Sequence, residues 1–164
     1  MSLEKFNSAS AESATSLLLA CCDVPAWAAA VRDGRPYADV DDVLDAADKA
    51  ARAFTPDEVD RALAAHPRIG ERAEGRTTEA AWSRQEQSTV SRDAQSQEAL
   101  LEGNRAYEDR FGRVFLICAT GLSGEQVLAS LRERLGNGAE TERAVVAEEL
   151  RKIALLRLRK ALDQ

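Results

Sequence analysis

The sequence predicts an all-α fold, a single-domain bundle of about eight helices with one short extended segment, spanning residues 1–164 as one unit. Three observations predict it. Alanine, leucine, arginine and glutamate dominate, whereas nine glycines and four prolines are spread over 164 residues, a balance that favours helix. Apolar residues recur at steps of three and four. Helix-start signatures stand at "TPDE" (55–58), "SGEQ" (123–126) and "NGAE" (137–140), where a capping residue is followed three positions later by a carboxylate or amide. The chain is long enough to bury a sizeable core.

Taken in order, residues 10–22 form a helix capped by Ser8 or Ser10. Pro25 opens a short helix running to Val31, since proline suits a first helical position. "DGRP" (33–36) is a turn. A helix from about 39 to 53 places Val40, Val43, Leu44 and Ala47 on one face. Thr55 caps the next, with Pro56 first in the helix and Glu58 closing the box. That helix buries Val59 and Leu63 and ends at His66, because Pro67 disfavours α geometry in the residue before it. A polar turn (70–77) leads into one long helix, about 78 to 110, terminated by Gly112. Its inward stripe is Val90, Ala94, Gln97 and Leu101. "VFLICATG" (114–121) is a short strand or an extended buried segment. Two further helices run to Leu135 and to about Leu162.

Composition excludes several functions. A net charge of −6 argues against nucleic-acid and anionic-membrane partners. The basic stretch "RKIALLRLRK" (151–160) carries an apolar stripe and is an amphipathic docking helix. Cys21, Cys22 and Cys118 have no metal or CxxC spacing and are small core residues of a reducing compartment. No signal peptide or membrane span is expected, which makes the cytoplasm the default. One histidine does not make a zinc site, and there is no phosphate-binding glycine loop and no GxSxG elbow.

Three departures from apolar patterning remain. His66, the sole histidine, shares a face with Val59 and Leu63 at the rim of a helix end. Ser83, Glu86 and Gln87 share one face of the long helix and turn its stripe polar near its N-terminus. There the helix dipole favours the Glu86 carboxylate. Arg157 continues the stripe Val146, Leu150 and Ile153, whereas Arg159 falls on another face. Each has an ordinary structural explanation: a helix-end histidine, a solvated face, and an arginine whose stem packs while its head reaches water. Taken together they are a histidine, a carboxylate and an arginine with a hydroxyl and an amide, a set tolerated in a core only if its members pair with one another or with a ligand. A helical interaction module, with these residues as subunit contacts, is one competing expectation.

"HPRIGE" (66–71) followed by "SRQEQS" (83–88) resembles the HP-x-x-G and S-x-x-EQ elements of the 2-oxo-4-hydroxy-4-carboxy-5-ureidoimidazoline (OHCU) decarboxylases. "GRPY" (34–37) after Trp27, "RFGRVFLIC" (110–118) and "LRL" (156–158) extend the resemblance over nearly the whole chain. The resemblance implies an all-helical, cofactor-free, usually homodimeric decarboxylase of a small ureidoimidazoline, acting late in urate catabolism to give S-allantoin. It implies that His66 and Glu86 are catalytic. It implies that Pro67, Ser83, Gln87 and Arg157 contact substrate, with the backbone of Phe115, Leu116 and Ile117 lining the pocket. Arg68 departs from the commonest family pattern as a surface variation or a change at the entrance. Tyr37 stands where phenylalanine is usual, a change expected to be neutral. An enzyme of the same scaffold acting on a related ureide is the other competing expectation.

Overall fold

The computed structural model describes residues 1–69, 78–88 and 94–163. Among them are nine α-helices and no strand: α1 (Leu3–Ser8), α2 (Ala11–Cys21), α3 (Pro25–Asp33), α4 (Val40–Ala51), α5 (Pro56–Leu63), α6 (Thr78–Glu86), α7 (Ala94–Phe111), α8 (Gly124–Leu135) and α9 (Ala139–Leu162). Two compact units divide the chain, Met1–Ala62 with Leu150–Gln164, and Leu63–Glu149. The polar turn expected at 70–77 and the expected inward Val90 lie outside the described residues.

The first unit follows its capping chemistry. α1 adds a helix to the expected set. The Ser2 hydroxyl accepts from the Lys5 amide at 3.3 Å, and Phe6 is fully buried. Ser10 caps α2 by accepting from the Ser13 amide at 3.1 Å. Thr55 and Glu58 exchange both bonds of a capping box at 2.8 and 3.2 Å. Trp27 Nε1 donates to the Ala47 carbonyl at 3.0 Å and ties α3 to α4. The 33–36 turn is confirmed, with a cis Arg35–Pro36 bond. Gly34 leaves room for the Tyr37 side chain there, because a Cβ would lie 2.2 Å from its hydroxyl unless that side chain shifted. That hydroxyl donates to the Val31 carbonyl at 2.6 Å, a bond that phenylalanine could not make.

The second unit is built on a cluster of Ile69, Leu100, Tyr107, Phe115, Ile117, Ala119, Val127 and Leu131. Gly103 lets α7 and α8 approach closely, since a Cβ there would lie 2.3 Å from Leu131 Cδ2. Gly112, at φ +70, ends α7, and its amide donates to the Glu108 carbonyl at 2.8 Å. Ser123 and Gln126 form the expected capping box of α8. At the start of α9, Asn137 Nδ2 donates to Glu142 Oε2 at 3.0 Å.

Two expectations are corrected. The single long helix is two helices, α6 ending at Glu86 and α7 starting at Ala94. The stretch just past α6 (87–88) contains a serine, whose side chain competes for backbone hydrogen bonds. In that stretch the Ser88 amide turns back to the Gln85 carbonyl at 3.1 Å. With the register reset, Leu100 and not Leu101 faces the core. Leu100 is 1% exposed and Leu101 is 47% exposed. The second correction is that α5 ends at Leu63, three residues before His66.

Candidate active site

His66 sits in the turn after α5. Its amide donates to the Leu63 carbonyl at 3.0 Å, and the residue is half-buried, as is Pro67. The loop then descends onto α7. Ile69 is buried in the cluster with Leu100 and Tyr107, and its carbonyl accepts from Asn104 Nδ2 at 2.8 Å. Arg68 reaches Glu108 on the same helix through Nε at 2.6 Å and Nη2 at 3.1 Å. Arg68 is therefore an outward-facing tie, and it also lines a cavity of about 230 Å³ with Ile69, Gln97, Leu100, Leu101 and Asn104.

α6 presents Ser83 and Gln87 as buried residues, 3% and 6% exposed, with Glu86 half-buried beside them. The Gln87 amide donates to the Ser83 carbonyl at 3.3 Å, which fixes the last turn carrying all three. Glu86 is the last residue of α6. It does not stand near a helix N-terminus, so the dipole argument that favoured its ionised form does not apply.

Phe115, Leu116 and Ile117 form a buried stretch assigned to neither helix nor strand. Phe115 and Ile117 share the cluster that holds Ile69, which packs the end of the His66 loop with this segment. Arg134 Nη1 donates to the Leu116 carbonyl at 2.7 Å. The guanidinium also lies 4.5 Å from the Phe115 ring centroid and donates to Glu142 Oε1 from Nε at 2.8 Å and Nη2 at 2.5 Å. The Tyr107 hydroxyl donates to the same oxygen at 2.6 Å. Burial alone would push the Glu142 carboxyl up. The donors Arg134, Tyr107 and Asn137 outweigh burial and hold it below its ordinary value. Burial and the bond to Glu142 raise Tyr107.

In the first unit, Arg157 is 2% exposed, whereas the side chain of Arg159 is 52% exposed and pairs with Asp41 at 3.1 Å. Cys22 is also buried there. Burial, with the neighbouring Cys21, pushes its thiol up to about 12, although the charge of Arg157 pulls the other way. Cys22 thus stays a protonated thiol at neutral pH and offers no nucleophile.

The second unit therefore holds His66, Pro67, Ser83, Glu86, Gln87 and Phe115–Ile117, and Arg157 belongs to the first. Sequence reasoning missed Asn104, Glu108 and the Arg134–Glu142–Tyr107 network. The signal for the network was present. Val127, Leu131 and Arg134 lie on one stripe of α8, and Glu142, Val146 and Leu150 on one stripe of α9, each ending in a charge as Arg157 ends its own.

Residues 7–159 match the model of the OHCU decarboxylase family. The 2-oxo-4-hydroxy-4-carboxy-5-ureidoimidazoline decarboxylase of Amia calva is 34% identical over 137 residues, covering 82% of this chain and 78% of that protein. The protein of the same name from Haloferax volcanii is 29% identical over 128 residues, covering 77% and 75%. Among solved structures, an OHCU decarboxylase crystallised in the presence of (S)-allantoin superposes with a TM-score of 0.74 at 25% identity, covering 95% of this chain and all of that one. With a match that runs through both compact units, this chain belongs to the OHCU decarboxylase family.

Proposed function

We propose that the chain decarboxylates 2-oxo-4-hydroxy-4-carboxy-5-ureidoimidazoline to (S)-allantoin in urate degradation. The observation that carries this is the family match over residues 7–159. The substrate is a five-membered ring whose carboxylate sits on a hydroxyl-bearing carbon. The bond from that carbon to the carboxylate breaks, CO₂ leaves, and the electron pair passes into the conjugated imine and carbonyl of the ring. A proton then adds to one face of the carbanionic carbon. The ring is its own electron sink, so the chemistry calls for no cofactor.

Each residue has a role in that sequence. His66 transfers the proton and contacts the substrate hydroxyl or carboxylate, since a histidine can hold either protonation state near neutrality. Glu86 orients the imidazole or the substrate hydroxyl. Arg157 clamps a carboxylate or carbonyl through its planar fork. Ser83 and Gln87 hydrogen-bond ring and ureido groups, and their burial supports direct rather than solvated contacts. Pro67 restricts the backbone beside the imidazole. The backbone of Phe115, Leu116 and Ile117 lines the pocket.

A cytoplasmic homodimer belongs to the same proposal. An odd count of three cysteines, with neither metal nor CxxC spacing, supports a reducing compartment. Light scattering in solution tests the dimer. The decisive experiment for the activity is a circular dichroism time course on freshly generated substrate. The enzyme should speed its decay and leave optically active (S)-allantoin, whereas the unassisted reaction leaves racemate. Racemic product at the unassisted rate would refute the proposal.

A further inference from the structure

α7 grips the loop that follows His66 along one face. Leu100, Asn104, Tyr107 and Glu108 stand at i, i+4, i+7 and i+8. Leu100 and Tyr107 pack with Ile69, Asn104 Nδ2 holds the Ile69 carbonyl at 2.8 Å, and Glu108 holds Arg68. Packing alone does not press the loop down, because a cavity of about 230 Å³ is lined by Arg68, Ile69, Leu100 and Asn104. Asn104 is also a poor choice for stability. It is 3% exposed, and its Oδ1 is buried without a hydrogen-bond partner, an arrangement that costs free energy. What the amide supplies is a fixed distance from α7 to a backbone carbonyl three residues after His66. Proline limits the chain in between.

We infer that Asn104 is a positioning residue for His66, setting the height of the 66–69 loop on α7, with the Arg68–Glu108 pair as a second, outer tie. Asn104 acts through the loop and does not touch substrate. The consequence for turnover rests on the proposed decarboxylase activity, but the positioning itself does not.

Because His66 is the only histidine, its imidazole gives a single set of ring signals in a proton–nitrogen spectrum of the full chain. In Asn104→Ala those signals should move and broaden while the helical circular dichroism stays the same. The kcat should fall by up to on the order of 100-fold, the scale expected when a catalytic group is misplaced by about an ångström, with KM changing less. Asn104→Asp keeps the volume but sets an oxygen against the Ile69 carbonyl. It should act in the same direction and serves if the alanine variant does not fold. Glu108→Gln, on the exposed side, should give a smaller shift of the same kind. Ring signals unmoved in a folded Asn104 variant would overturn the inference, whatever its turnover. If the signals move but the wild-type chain makes no (S)-allantoin, the decarboxylase assignment fails and the positioning role stands.

Discussion

Arg157 and Arg159, two residues apart on α9, face opposite ways. Arg157 is 2% exposed, whereas Arg159 is turned outward and pairs with Asp41 at 3.1 Å. Two residues on a helix are separated by about 200°, so one stripe cannot hold both. Under the proposed function, the buried Arg157 and not Arg159 is the substrate clamp. Arg157→Lys should weaken substrate binding by roughly tenfold, since a point charge cannot replace a planar fork and a charged hydrogen bond is worth about 1.5–3 kcal/mol. Arg159→Lys should leave KM unchanged. Steady-state kinetics on both variants checks this, and a larger effect at Arg159 would reverse the assignment.

His66→Asn should fold with unchanged helical content, because the half-buried ring lies in a turn and not in a helix interior. Its turnover should fall by at least about 100-fold, the usual contribution of a positioned proton-transfer group. The optical purity of the residual allantoin is the sharper readout. Retained turnover with full stereochemical excess would take His66 out of the chemistry.

Tyr37→Phe should lose stability on the order of 1 kcal/mol, the worth of one intramolecular hydrogen bond. The lost bond is the 2.6 Å contact to the Val31 carbonyl. A denaturant midpoint equal to wild type would mean that the hydroxyl contributes nothing to the turn.

These residues show where the sequence is informative. Three helix starts were legible because the cap is local: Ser10, Thr55 with Glu58, and Ser123 with Gln126 form their bonds within four residues. The inward direction of Arg157 was legible because α9 keeps one phase from Val146 to Arg157, all buried. What failed was phase across a break. With the helix assumed continuous from 78 to 110, Leu101 was placed inward where Leu100 is the buried residue. α1 was missed because a six-residue helix carries too few positions to show a period, and its one core anchor is Phe6. The convergence of Tyr107, Arg134 and Glu142 joins three helices at separations that no local pattern encodes.

That network gives the remaining prediction. Glu142 is fully buried and carries the charge that compensates Arg134. Removing one partner of a buried pair leaves the other uncompensated, typically at about 3–5 kcal/mol. Glu142→Gln should therefore lower unfolding stability by about that much and loosen the Phe115–Ile117 segment, whose Leu116 carbonyl Arg134 holds. The sign of the pH dependence follows from the carboxyl being held below its ordinary value of 4.5. The unfolded chain binds the proton at higher pH than the folded one, so the stabilisation is complete above the unfolded value and is lost as pH falls through the folded one. Denaturant melts between pH 7 and 3 should show an acid-side loss in the wild type that is reduced in Glu142→Gln. Parallel curves for the two proteins would mean that Glu142 is not the carboxylate whose protonation loosens this unit.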